Sequence, residues 1–304
     1  MRSSMDEKAL DCYRRAGKIA AEARKFGLDL ISENVRLLDV ANKIETRILD
    51  QSVGLAFPVN ISINEIAAHY SPRHDDALVF RKGNVVKLDV GVHADGYIAD
   101  TAATVEVGTN NYSKLIEASQ KALQNAIDIV KNHGVLESIG KVIEETITSY
   151  GFKSIDNLTG HSLDRYVLHS GLSIPNVAHT MDNQKLKVGD VIAIEPFAST
   201  GTGHVVSGNG SNIYLCMDSF RMKLVRNQGA RLMAQKLSSQ FKTLPFAERW
   251  CQETIPSSTD VSLKKLAFLG VLKHYPQLVD KGKGMVSQAE HTVLVTEDGC
   301  EVMT

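Results

Sequence analysis

The stretch Lys87-Leu88-Asp89-Val90-Gly91-Val92-His93-Ala94-Asp95-Gly96-Tyr97-Ile98-Ala99-Asp100 carries two opposed signals. Its alternation is that of a strand, with Val86, Leu88, Val90 and Val92 on one face. His93-Ala94-Asp95-Gly96 reads as a hairpin turn, and Tyr97 to Val107, rich in Thr, Ala and Val, as the returning strand. Yet two aspartates sit inside these apolar strands. A hairpin centred between Ala94 and Asp95 sets Asp89 directly beside Asp100, and a bulge at Gly96 shifts this by about one residue. Like charges face to face destabilise a sheet, and burial raises the pKa of at least one of them. Two readings stand. The aspartates are solvated on an exposed sheet face, or a divalent cation lies between them, held by hard oxygen ligands.

The flanking sequence supplies the frame. Asp6 to Phe26 has a helical stripe of Ala9, Tyr13, Ala16, Ile19 and Ala20, with Gly27 as its expected stop. A second helix is expected over Asn34 to Gln51, capped by Ser32 or Asn34. After the hairpin come helices over Tyr112 to Asn132 and Leu136 to Tyr150. Short strands follow, among them Val191 to Ile194, and Glu290 to Thr296 near the end. Helix, helix, sheet thus occurs twice, which suggests a structural duplication of α+β class.

Composition narrows the function classes. The chain has 304 residues, 43% apolar and 23% charged, with a formal net charge of −1. That is a globular balance, and it implies no polyelectrolyte partner for the whole surface. No apolar run nears the ~20 residues of a membrane span. The first ten residues lack a signal-peptide core. Cys12, Cys216, Cys251 and Cys300 form no C-x-x-C pair, so a cytoplasmic protein with reduced thiols is expected. One segment departs from the balance. Asp218 to Tyr275 reads as mainly helical, broken at Pro256 to Thr259. It holds ten basic and four acidic residues, so the rest of the chain carries −7.

Further candidate ligands lie elsewhere. Glu195 ends the buried-strand run Val191-Ile192-Ala193-Ile194 and is kept extended by Pro196. Glu290 opens the last strand, and His161 lies in a Gly-His-Ser turn. Each alone is weak, since a lone strand-end Glu is more often solvated than ligating and a lone His more often a satisfied core or surface group. Together, two aspartates, two glutamates and a histidine can hold two metals around a shared water, the chemistry of ester or amide hydrolysis.

At this point the motifs resemble a family. The hairpin stretch resembles the signature of the methionine aminopeptidases. Asn64-Glu65-Ile66-Ala67-Ala68-His69-Tyr70 resembles their first active-site loop. Gly160-His161, Ile194-Glu195-Pro196-Phe197 and Glu290-His291-Thr292 follow in order. The basic segment resembles the insert of the type II subfamily, and the short N-terminus resembles the archaeal form. The resemblance implies a pita-bread fold of two pseudo-symmetric αβ halves, formed by residues 1–217 and 276–304, with 218–275 as a helical insert subdomain. It implies a metalloprotease that removes the initiator methionine from nascent chains with a small second residue.

Carried over, the resemblance makes Asp89 a ligand of one metal, Asp100 and Glu290 bridges, and His161 and Glu195 ligands of the other. Two divalent ions per chain, of cobalt, manganese, iron(II) or zinc, activate a bridging water or hydroxide. Glu195 is also a candidate proton shuttle. His69 binds the substrate near the scissile bond, and His169 orients its carbonyl. Phe57, Pro58, Leu168 and Tyr275 form the methionine pocket. Ala289 stands where many relatives have a bulky aromatic, a change expected at the pocket wall. Prolidases and X-Pro aminopeptidases share the ligand set and are the rival enzyme reading. A binding protein that has lost its chemistry is the other. Partners expected are nascent N-termini and, through the basic insert, the ribosome, with a plain solvated face as the alternative there. No membrane contact and a monomer are expected.

Overall fold

The computed structural model describes residues 5–178, 183–217, 228–252 and 259–304. The first helix, α1 (Glu7–Leu30), starts at Asp6, whose side chain accepts from the Lys8 amide. It runs through Gly27, the expected stop. The reason is packing. A Cβ at Gly27 would stand 2.5 Å from Ile44 Cδ1 and 2.6 Å from Leu88 Cδ2. The glycine lets the helix approach its neighbours closely. The second helix, α2 (Leu37–Leu49), begins later than expected, and neither Ser32 nor Asn34 caps it. Backbone bonds from Asn34 and Leu37 to the carbonyls of Phe80 and Leu78 hold the entering chain against that segment.

Five strands follow: β1 (Gly54–Leu55), β2 (Asn60–Ile63), β3 (Ile66–Ala68), β4 (Val85–Ala94) and β5 (Tyr97–Glu106). The β4–β5 hairpin is present, but its centre lies one residue later than read. Ala94 pairs with Tyr97, so Asp95 and Gly96 alone make the turn, at φ 49° and 90°. Two positive φ values suit a two-residue hairpin turn, whose twist matches the strands. Pairing therefore shifts by two. Asp89 opposes Ala102, and Asp100 opposes Gly91. No bulge interrupts the register, and an even shift keeps the aspartates on one face as diagonal neighbours.

The second half repeats the plan. Helices α3 (Ser113–Asp128) and α4 (Leu136–Ser149) precede β6 (Lys153–Ser154), β7 (Thr159–Ser162), β8 (Ser173–Pro175), β9 (Val191–Ile194) and β10 (Phe197–Ser199). After β11 (Val205–Cys216) come α5 (Gln228–Phe241), β12 (Phe246–Ala247), a 3-10 turn (Glu248–Cys251) and α6 (Thr259–Phe268). The chain closes with β13 (Leu272–Asp280), β14 (Val286–Gln288), β15 (His291–Val295) and β16 (Cys300–Val302). One core joins α1 and α2 to β2 and β4. Another joins α3 and α4 to the sheet ordered β16-β15-β9-β7-β8.

The halves meet along a polar seam. Thr292 Oγ accepts from the Asp100 amide and donates to the Asp100 carbonyl, both at 2.8 Å. The Glu290 amide donates to the Ala102 carbonyl at 3.0 Å, and Thr101 and Thr104 hydroxyls donate to the carbonyls of Glu290 and Gln288. This seam sets β5 beside the segment that opens β15.

Within the basic segment, α5, α6 and β12 pack a separate core of Leu237, Phe246, Leu263 and Leu266, joined by Tyr214 of β11. The strands β11 and β13 pair from Val205–Asp280 to Cys216–Leu272 and enclose it. Tyr275 therefore lies on a strand. The expected break at Pro256-Ser257-Ser258 falls outside the described residues, and Thr259 begins α6.

Gly27→Ala tests that packing. At an interior helical position with open space beside it, alanine in place of glycine would be stabilising. The packing predicts a loss of about 1–3 kcal/mol by denaturant unfolding.

Candidate metal centre

The seam and the two sheets bring five side chains to one cavity. Asp89 comes from β4, Asp100 from β5 and His161 from β7. Glu195 follows β9, and Glu290 precedes β15. The same cavity is lined by Phe57, Asn60, Ala68, His69, Leu168, His169, Ile213, Pro245 and Tyr275. All five expected ligands are thus together, with both histidines expected at the substrate. Pro58 is buried but does not line the cavity, and its carbonyl accepts from Asn60 Nδ2 at 2.7 Å.

Asp100, His161 and Glu290 each offer a ligand atom within 4.8 Å of the others. His161 Nε2 stands 3.6 Å from Asp100 Oδ2 and 3.5 Å from Glu195 Oε1. These gaps are too long for good hydrogen bonds. The donors face a common space rather than one another. Asp89 Oδ1 and Asp100 Oδ1 are buried without a hydrogen-bond partner among the described residues. A carboxylate oxygen left so is costly unless a cation faces it.

Electrostatics agree. Burial, with a hydrogen bond to Asp100 opposing, lifts the Asp89 carboxyl to about 7. Burial and the charges of Glu290 and Asp89 push Asp100 well above its usual range. Burial, then Asp100 and Asp89, does the same to Glu195. Glu290 is raised by burial, Glu195 and Asp89, and only Arg24 opposes this. Arg24 reaches from α1 behind the site, where it bonds Thr101 Oγ and the Glu290 carbonyl. It braces the strand without entering the cavity. A donor set of four carboxylates and one imidazole fits divalent ions of the manganese-to-zinc series.

The histidines are held neutral. Burial, then the neighbouring His169, lowers His161 to about 3. Burial, then His169, lowers His69 to about 4, and burial, then Lys273, lowers His169. The rings of His161 and His169 lie 4.3 Å apart, and His69 meets Tyr275 edge-on at 5.4 Å. His69 adopts φ 64°, a left-handed conformation unusual for a residue with a Cβ. Phe57 covers Gly91, where a Cβ would come within 2.1 Å of its ring.

Sequence reading missed several members. Gln288 Nε2 donates toward both Glu195 and Glu290 at 3.4 Å. It lies two residues before Glu290, and strand period alone points it to the same face. Asn60 pairs with Asp89 across β2 and β4. Ile213 and Pro245 had no sequence signal. Ala289 corrects an expectation. It lines a groove with Arg24, Ala102 and Leu123 and does not line the cavity that holds Phe57, Leu168 and Tyr275.

Comparison with known proteins places this geometry. The model of metallopeptidase family M24 matches residues 11–297. A methionine aminopeptidase of Methanocaldococcus jannaschii is 46% identical over 289 residues, 95% of this chain and 96% of that one. One from Pyrococcus abyssi is 43% identical over 97% of this chain and 99% of its own. A crystal structure of the methionine aminopeptidase of Rickettsia prowazekii superposes with a TM-score of 0.71 at 22% identity, covering all of both chains, and shares the pita-bread fold. The chain belongs to metallopeptidase family M24, among the methionine aminopeptidases of archaeal type.

Proposed function

We propose that Asp89, Asp100, His161, Glu195 and Glu290 hold two divalent metal ions, and that this centre removes N-terminal methionine from chains with a small second residue. The observation that carries it is the set of four mutually repelling carboxylates around one cavity, in a chain 43–46% identical to methionine aminopeptidases. Asp89 and Asp100 from the first half, with His161, Glu195 and Glu290 from the second, would hold the ions. Such ions supply a Lewis acid and bring the pKa of water toward neutrality.

The remaining roles belong to the protein. Phe57, Leu168 and Tyr275 give the thioether an apolar wall, and Pro58 backs Phe57. His69 and His169 are neutral near pH 7, so each can donate one hydrogen bond without adding a charge. His69 binds the substrate beside the scissile bond. His169 stabilises the negative charge that develops on its carbonyl oxygen. Glu195 takes and returns a proton. Residues 218–275 form an insert subdomain, and the enzyme works as a cytoplasmic monomer. No helix among the described residues is long and apolar enough to cross a membrane.

The insert also admits a partner. Arg231, Lys236, Lys242 and Lys265 are exposed on it, and the segment is net +6. A phosphate-rich ribosomal surface near emerging chains suits this charge. Arg226 lies outside the described residues. Arg231→Glu with Lys236→Glu should lower salt-sensitive co-sedimentation with ribosomes, and unchanged sedimentation would remove the idea.

The reaction is tested by methionine release from Met-Ala-Ser, before and after adding manganese or cobalt to metal-free enzyme. Metal-dependent release is expected, with no cleavage of Xaa-Pro peptides. Asp89→Asn and Glu290→Gln should each leave no more than a few per cent of turnover in metal-saturated enzyme. Higher activity contradicts the two-metal site.

The raised carboxyl pKa values give a pH signature. A group with a raised folded pKa makes the folded state hold more protons, so stability falls as pH rises toward that pKa. Metal-free enzyme should therefore lose thermal stability between pH 5 and pH 8, through the value near 7 of Asp89. Metal needs the ionised carboxylates, so the Tm gap between loaded and metal-free enzyme should widen over that range. A constant gap argues against the site.

A further inference from the structure

Glu45 and Arg249 form an ion pair outside the cavity, 5% and 9% exposed. Glu45 lies on α2, and Arg249 lies in the 3-10 turn of the insert. The Glu45 carboxylate accepts from the Val59 amide at 3.0 Å, from Arg249 Nη2, and from Trp250 Nε1 at 2.8 Å. Arg249 Nη1 donates to Ser71 Oγ and to the Pro72 carbonyl, each at 2.8 Å. Ser71 Oγ donates in turn to the Val59 carbonyl at 2.8 Å. The circuit is closed.

Each segment it touches runs directly into the cavity wall. Val59 lies between Phe57 and Asn60. Ser71 follows Ala68 and His69. Arg249 follows Pro245 through β12. These three stretches are remote in sequence, and this pair ties them together. Glu248 adds a second tie, accepting from His74 N at 3.1 Å and meeting His74 Nδ1 at 2.8 Å. His69 also needs support from its surroundings, because its left-handed backbone is strained.

A buried ion pair is a weak device for stability, since apolar residues of equal size often serve as well. Its value here is geometric. We propose that Arg249, through Glu45 and Ser71, is a positioning residue of the methionine pocket: it fixes Pro245 against the Phe57–Asn60 and His69 segments and so sets selectivity for the methionine side chain. Lysine would not replace it, because one ammonium cannot present the planar fork that meets Glu45 and Ser71 together. The proposal rests on the methionine-releasing function argued above.

The test compares wild type, Arg249→Met, Arg249→Lys, and the double variant Glu45→Gln with Arg249→Met, using Met-Ala-Ser and Leu-Ala-Ser. Removing one partner leaves a buried charge, so the single variants should lose thermal stability. The double variant removes the imbalance and should recover most of it. In the single variants that fold and in the double variant, KM for Met-Ala-Ser should rise about tenfold or more, with kcat changed less. The methionine-to-leucine ratio of kcat/KM should fall by about tenfold or more, within the roughly 10–200-fold that side-chain fit in an apolar pocket supplies. Metal content should stay at two ions per chain. A double variant with wild-type KM and wild-type selectivity overturns the positioning role. Absence of methionine release from metal-loaded wild type overturns instead the function on which it rests.

Discussion

Four carboxylates share one cavity with no cation of the described residues between them, and the fold is arranged around that conflict. Asp100 and Glu290 are almost wholly enclosed, 4% and 1% exposed. Arg24 grips the Glu290 backbone from behind and leaves the cavity side acidic. A metal-free centre must therefore keep protons that free carboxylates would lose. The site is built for a partner of high positive charge, and the neutral histidines beside it leave that place open.

The seam between the halves turns this constraint into position. Asp100 and Glu290 come from different halves, yet Thr292 clasps both polar backbone groups of Asp100 while Ala102 accepts from the Glu290 amide. Small movements between the halves would separate the two residues assigned to both ions. Neither half carries the site alone, because the first supplies Asp89 and Asp100 and the second supplies His161, Glu195 and Glu290. The segment between β11 and β13 supplies Pro245 and, through Arg249, a brace that reaches the first half at Glu45. Metal chemistry and pocket shape are thus held by different interactions.

Much of this was legible in the chain. The periods of the helices and the paired strands gave the repeated plan, and the misplaced aspartates gave the centre. The hairpin was centred one residue early because four residues were read as turn. Asp95-Gly96 alone can take two positive φ values, and that dipeptide held the better signal. Gly27 reads locally as a stop, while its reason lies in Ile44 and Leu88, which local sequence does not reveal. Ala289 reads as pocket wall, but it sits between Gln288 and Glu290, whose side chains meet, and by alternation it lines the groove beside Arg24 and Leu123. Gln288 was within reach by that same alternation. The Glu45–Arg249 pair was not, since the partners are 204 residues apart and each reads locally as a surface charge.

The most direct test counts protons as well as metal. Manganese would be titrated calorimetrically into metal-free enzyme at pH 6.5, in buffers of different ionisation heat. The account predicts two ions per chain and a net release of at least one proton, because the raised carboxyls must ionise to bind them. Binding of two ions with no proton release would contradict the repelling-carboxylate account, and no saturable binding would contradict the metal centre itself.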